Sequence, residues 1–282
     1  MRVVAPGKLV LTGAYAVLEG APAVVAAVDR YAVVDSAAPD AVDVRALHDD
    51  EGRKLGLGSS AASMVASHAA RAAARGLDLR EPDLRARLFR DVRAEHARSQ
   101  GGGSGVDVAA SVHGGVLRYV LDGDEARLRP VELPPRVVLS AFWSGTSART
   151  SDLRARVDAH RARSADALAE LRALATLAAD AVDAGDGPAF VAAAAGYARA
   201  LDALGRAADA PIVPPAFAEL ASLAARQGAA FLPSGAGGGD VAVWLGLAPA
   251  STEIVSRAVA LGMRPLSLGI DRGGVRAQPP ST

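Results

Sequence analysis

The sequence predicts an α+β chain, and three observations point there. Short Val-rich runs read as strands, longer Ala- and Leu-rich stretches carry helical spacing, and the two do not alternate strictly as they would in a parallel βαβ chain. Val3 to Ala5 and Leu9 to Thr12 read as short strands separated by Pro6-Gly7, and Ala23 to Asp35 as a further strand. Residues 37–50 are polar and irregular. Ala61 to Arg75 is a strong helix former that stops at Gly76. A second helix covers Pro82 to Ser99, with Pro82 early, where its missing N–H costs little. Leu84, Leu88 and Val92 mark its buried stripe, and Glu95 is expected on the same stripe, pointing inward and needing a partner. The glycine-rich loop Gln100 to Asp107 leads into a small-residue helix, and strands follow at Gly115 to Leu121 and Arg136 to Trp143. Ser151 to Gly205 is helical, with Leu168, Leu171, Leu174 and Leu177 among its apolar positions and a break at Gly185 to Pro188. Then come a helix from Pro215 to Arg226, a hairpin of Ala229 to Leu232 with Val241 to Leu245, a helix from Thr252 to Leu261 and a strand from Arg264 to Gly269. The Pro-rich stretch Pro130 to Pro135 is the expected boundary, giving domains 1–135 and 136–282.

Composition narrows the class. Half of the 282 residues are hydrophobic but only 4% are aromatic, so Ala, Val and Leu must fill most of the core. Thirty-one basic residues balance thirty-one acidic ones, and no global field draws the chain to nucleic acid or an anionic membrane. The absence of Cys excludes disulfides, thiolate metal sites and a Cys nucleophile, and suits a cytoplasmic protein. Lys8, Glu19 and Pro6-Gly7 interrupt an N-terminal stretch that otherwise resembles a signal peptide. No window approaches the roughly 20 apolar residues of a membrane span.

The chemistry is concentrated in three Gly- and Ser-rich loops: Leu55-Gly56-Leu57-Gly58-Ser59-Ser60, Gln100 to Asp107, and Pro233 to Asp240. Glycine lets backbone N–H groups approach an anion, and a following helix adds its positive end. The first loop has this form, although it is neither a Walker A motif nor a Rossmann fingerprint. Singly, each loop is equally well a tight turn.

In order and with their flanks, the loops resemble the GHMP kinases. Three signatures carry the resemblance: Ala5-Pro6-Gly7-Lys8 through Glu19, Leu55 through Ala62, and Ser234 through Asp240. Arg53-Lys54-Leu55, Ala16 to Gly20, Gln100 to Ala109 and Ser144 to Thr150 are similar to the phosphomevalonate kinase branch of that family. The resemblance implies a two-lobed fold, with an N-terminal α+β lobe, a ferredoxin-like C-terminal lobe and an active site in the cleft. It implies Mg²⁺-dependent transfer of the ATP γ-phosphoryl group to phosphomevalonate or a similar small acidic acceptor, by a monomer or homodimer that binds neither nucleic acid nor membrane.

Residue by residue, the resemblance assigns Gly56, Leu57, Gly58, Ser59, Ser60 and Ala61 to the ATP phosphates, with Ser60 and Glu95 toward the metal. Asp107 is the base or orienting group beside the acceptor oxygen, Lys8 neutralises charge there, and Lys54 abuts the phosphate loop. Tyr15, Ser104, Gly105, Ser147, Arg149, Thr150, Gly237, Gly238 and Asp240, with Lys8, are assigned to the acceptor. Plainer readings stand beside these: Ser59 or Ser60 as a helix cap, Asp107 as an N-cap, Lys8 as a surface lysine, Glu95 paired with an Arg, and Ser147 and Thr150 at a solvated helix start. His96 and His113 are expected to be structural. Two departures matter. Ala14 stands where the family usually has Glu, and the stretch between the first and second signatures is short. They motivate a non-catalytic ligand-binding or regulatory member as one alternative; mevalonate kinase or another alcohol kinase of the family is the nearest enzymatic one.

Overall fold

A computed structural model of the chain describes residues 1–147 and 150–278, and of Thr150 only the backbone. Packing divides the chain into two compact units: Met1–Leu9, Val25–Leu117 and the segment from Gly269 onward form the first, and Val10–Val24 with Arg118–Leu268 the second. The described strands form two sheets, one of six strands and one of four.

In the first unit, β1 (Arg2–Thr12) begins the fold, followed by β2 (Ala23–Asp35) and the short β3 (Val42–Asp43). The expected break at Pro6-Gly7 is absent, and β1 runs through it. Neighbours serve the backbone there. The Ser111 hydroxyl donates to the Pro6 carbonyl, and the Lys8 N–H donates to the Leu57 carbonyl at 2.9 Å. Three helices follow: α1 (Ser59–Ala74), α2 (Pro82–Gln100) and α3 (Val106–His113). Ala61, Ala62, Val65, Ala66, Ala69, Ala70 and Ala73 of α1 are buried, and their small side chains let it pack closely against α2 and α3. The stripe of α2 is Leu84, Leu88, Phe89, Val92 and His96, so its last inward position is the histidine and not Glu95.

A strand beyond those expected, β10 (Arg276–Gln278), pairs antiparallel with β1 through Arg2↔Gln278. Asp271, almost wholly buried, shapes the turn before it. Its carboxylate accepts from the Gly273 and Gly274 N–H groups and from the Tyr31 hydroxyl at 2.9 Å, and it pairs with Arg276 at 2.8 Å. A buried carboxylate is tolerable only with its lone pairs so occupied.

The second unit carries β4 (Val116–Asp122), β5 (Glu125–Val131), β6 (Val138–Trp143), α4 (Thr150–Ala159), α5 (Ala165–Ala184), α6 (Gly187–Ala208), α7 (Pro215–Arg226), β7 (Ala230–Pro233), β8 (Val241–Gly246), α8 (Thr252–Ala260) and β9 (Arg264–Leu266). The break between α5 and α6 falls at Gly185, where the Asp186 carboxylate caps α6 by accepting from the Ala189 N–H at 3.0 Å. Leu177 faces solvent, and the buried stripe of α5 runs instead through Leu168, Leu171, Ala175, Ala178 and Val182. The smaller sheet is antiparallel in the order β7-β8-β6-β9, with β8 buried at all six positions. Phe217 and Leu220 of α7 and Ile254 of α8 close a core with Phe142, Phe231 and Trp244. Four of the eleven aromatics meet here, Phe231 lying 5.5 Å from Phe142 and 6.0 Å from Phe217 between ring centroids.

His113 ends α3 against Phe89, ring centroids 5.8 Å apart. Burial first, and then the Arg85 guanidinium, lower its pKa to about 4. The unfolded chain takes up this proton near the ordinary value of about 6.5, so the folded state loses stability as pH falls from there toward 4. At pH 5 the loss relative to pH 7 is about 2 kcal/mol. Denaturant titrations of the wild type and of His113→Leu at both pH values check this. The variant's stability should fall by about 2 kcal/mol less than the wild type's.

Candidate active site

Around the second signature, the chain reaches α1 from a tight loop. The backbones of His48 and Lys54 bridge, and the buried Leu55 N–H donates to the Leu47 carbonyl at 3.1 Å. Asp49 secures this loop, accepting from the backbone of Arg53 at 2.8 Å and of Glu51 at 3.0 Å and pairing with the Arg53 side chain. Lys54 is therefore presented at an exposed position directly ahead of the glycines.

Gly58 is the N-cap of α1, in the left-handed region at φ 77°, and no side chain caps the helix there. Ser59 and Ser60 lie inside the first turn, and the Ser63 hydroxyl donates to the Ser59 carbonyl at 2.7 Å. The plainer reading of these serines as caps is thus set aside. The opening N–H groups of α1, at Ser59, Ser60 and Ala61, have no intrahelical partner, and the helix dipole adds positive potential at the same point.

Lys8 is not a surface lysine. It is 9% exposed, and its Nζ donates to the Gly56 carbonyl at 3.1 Å. A Cβ on Gly58 would stand 3.1 Å from Lys8 Cγ, 3.3 Å from Lys8 Cε and 3.7 Å from Asp107 Cβ. One glycine therefore has the lysine stem and the aspartate packed beside it. Asp107 lies in the first turn of α3, whose N-cap is Gly105 in the left-handed region at φ 79°. The Asp107 Oδ1 accepts from the Val108 N–H at 3.0 Å, and its Oδ2 lies 3.9 Å from His96 Nε2. Ser104 braces this start, its hydroxyl accepting from the Val106 N–H at 3.4 Å and its carbonyl from Arg93 at 3.3 Å. Lys8, Gly56, Gly58 and Asp107 are brought together, with Ser104 and Gly105 supporting the last.

Glu95 differs from expectation. Its side chain is 46% exposed, and its partner is His68 of α1, Nε2 to Oε2 at 2.8 Å, and not an arginine. Counting four residues on from Val92 reaches His96, and counting three reaches Glu95. The four-residue step was the signal that could have found the buried histidine. Among the described residues, no group of three or more His, Asp or Glu side chains could by itself hold a metal ion.

Other expected residues belong to the second unit. Tyr15 sits at φ 62°, an uncommon region for a side-chain-bearing residue, and its hydroxyl donates to the Ala236 carbonyl at 2.7 Å. Burial raises its pKa, so it remains a donor. Tyr15 is thus a tether for the third glycine loop. That loop is further pinned by the Ser234 hydroxyl, which accepts from the Val10 N–H at 2.9 Å. The Gly238 N–H donates to Ile212 at 2.8 Å, and the Asp240 N–H to Thr146 at 2.9 Å. These two amides are consumed within the unit. At Gly237 a Cβ would stand 2.0 Å from the Ile212 carbonyl oxygen, so only glycine fits. Ser147 is exposed, Thr150 opens α4, and Arg149 lies outside the described residues. Where the family usually carries Glu, the Ala14 carbonyl accepts from the buried Tyr197 hydroxyl.

Known proteins bear on this arrangement. Residues 23–115 match the GHMP kinases N terminal domain. A phosphomevalonate kinase of Streptomyces sp. (strain CL190) is 34% identical over 254 residues, which cover 79% of this chain and 66% of the relative's length. Two solved structures share the fold. One is a Lin0012 protein from Listeria innocua, with TM-score 0.84, 22% identity and 98% of each chain covered. The other is Streptococcus pneumoniae phosphomevalonate kinase in complex with phosphomevalonate and AMPPNP, with TM-score 0.79, 20% identity, and 96% of this chain and 99% of that one covered. The signatures, the glycine-capped helix beside Lys8 and Asp107, and these similarities agree that the chain belongs to the GHMP kinases.

Proposed function

We propose that this chain transfers the γ-phosphoryl group of ATP to phosphomevalonate. The observation that carries the reading is the open N-terminus of α1, with Lys8 and Asp107 packed at Gly58. Phosphoryl transfer asks a protein for positioning and charge neutralisation more than for covalent chemistry. The Ser59, Ser60 and Ala61 N–H groups would take phosphate oxygens, as helix N-termini do. Lys8, held by the Gly56 carbonyl, would offset charge that builds as the phosphoryl group moves.

The role of Asp107 depends on the acceptor. A hydroxyl acceptor must lose a proton, and Asp107 would take it. A phosphate monoester, with its second pKa near 6, arrives largely deprotonated at pH 7. Asp107 would then orient the acceptor and balance Lys8. Lys54, exposed ahead of the loop, would hold the acceptor phosphate as a point charge, and we propose Arg149, Ser147 and Thr150 for the same task.

Magnesium bound with the nucleotide needs only one or two protein oxygens beside phosphates and water. We propose the Ser60 hydroxyl for one such oxygen and Glu95, whose Oε2 meets His68, for another. Bound there, the ion would neutralise the β- and γ-phosphates.

ADP release from Mg-ATP, measured against phosphomevalonate, mevalonate, homoserine and galactose, tests the acceptor. Phosphomevalonate should give the highest kcat/KM; a preference for mevalonate assigns the chain to the alcohol kinases, and no turnover with any acceptor overturns the enzyme reading. Asp107→Asn should lower kcat about tenfold with phosphomevalonate, against the 10²- to 10⁴-fold typical of losing a true general base. Lys54→Ala should raise the KM for the acceptor about tenfold, the loss of one charge-assisted contact, with the KM for ATP unchanged. Gly58→Ala forces a side chain into the left-handed region and against Lys8. It should raise the KM for ATP at least about tenfold and lower stability by about 1 to 3 kcal/mol in a denaturant titration.

A further inference from the structure

His96 is the one buried polar residue in the stripe of α2, and nothing in the proposed reaction uses it. It occupies the position that Leu84, Leu88 and Val92 lead to, where an aliphatic residue would complete the packing. Burying an imidazole there has a desolvation cost that the fold recovers only if the ring finds a polar partner. The polar group it faces is Asp107, Oδ2 lying 3.9 Å from Nε2. The other carboxylate oxygen, Oδ1, already accepts from the Val108 N–H at 3.0 Å. The carboxylate is therefore held on one side by the start of its own helix and faced on the other by a ring fixed in the α2–α3 interface.

We infer that His96 is a positioning residue for phosphoryl transfer: its Nε2–H donates to Asp107 Oδ2 and fixes the carboxylate plane beside Lys8. The inference rests on the phosphotransfer reading above. The 3.9 Å separation is longer than a hydrogen bond. It closes with a small movement of either side chain, as catalytic contacts commonly do once substrate is bound. An ionised carboxylate has about four lone-pair sites, so Asp107 can accept from Val108 and His96 and still face the acceptor. His96 itself, 9% exposed, acts only through that residue.

Two substitutions separate positioning from packing. His96→Phe keeps a flat buried ring and removes the donor. His96→Gln keeps an N–H near the Nε2 position and loses the ring. If His96 orients Asp107, His96→Phe lowers kcat about five- to tenfold, bounded by the loss at Asp107 through which it acts. Its KM for ATP should stay within twofold and its melting temperature near the wild type's, while His96→Gln recovers kcat to within about threefold. A His96→Phe enzyme with wild-type kcat overturns the inference. So does an equal loss in both variants accompanied by equal falls in melting temperature, which is the mark of packing alone. Wild-type protein that turns over no acceptor overturns the phosphotransfer reading itself, and this inference with it.

Discussion

The missing side chain at Gly58 is the constraint around which the first unit is arranged. Because no Cβ projects there, the Lys8 stem and Asp107 both come within van der Waals reach of one backbone position. Because the residue sits in the left-handed region, α1 starts abruptly, with its opening amides unpaired and no side chain turned back to satisfy them. A serine or aspartate at this point would give a better-capped helix and a poorer anion site. The sequence places its serines one and two positions later, inside the first turn.

The same device recurs at α3. Gly105 caps it in the left-handed region, and Arg93 packs over the glycine so tightly that a Cβ would stand 2.6 Å from Arg93 Cγ. Two helices thus begin with short, sharply turned approaches, and the charged residues near those beginnings, Lys8 and Asp107, are fixed by backbone geometry instead of by long flexible loops. In the second unit the third glycine loop follows a different logic. Its amides at Gly238 and Asp240 are used internally, and a strained, buried Tyr15 holds its carbonyl side. Its glycines serve close packing against Ile212 and Thr146.

Much of this could be read in the sequence, for definite physical reasons. The helices from Ser59, Pro82 and Pro215 were legible because their punctuation is local: a glycine or proline at the start, small or periodic apolar residues after it. The continuity of β1 through Pro6-Gly7 was not, because it depends on Ser111 and Leu57 serving that backbone from far along the chain. Nor was β10, whose pairing with β1 rests on the buried Asp271 turn. The grouping of Lys8, Gly58 and Asp107 was legible through family resemblance, since no periodicity links residues so far apart. Glu95 and His96 show the limit of helical counting. Neighbouring positions at the edge of a stripe differ by about 100° around the axis, so the three-residue step to Glu95 and the four-residue step to His96 lead to different faces, and the four-residue step is the one the fold follows.

The threading of the first unit has a consequence for how the protein is made. The long stretch Arg118–Leu268 of the second unit separates β10 from the rest of the first, and β1 acquires β10, a neighbour along one edge, only after that chain exists. On a ribosome, Arg2 to Val4 must wait with that edge unsatisfied until β10 has been made. Such distant pairing slows folding and exposes a bare strand edge to other nascent chains. During synthesis this edge therefore stays open far longer than it would in a chain whose strands meet their neighbours in order.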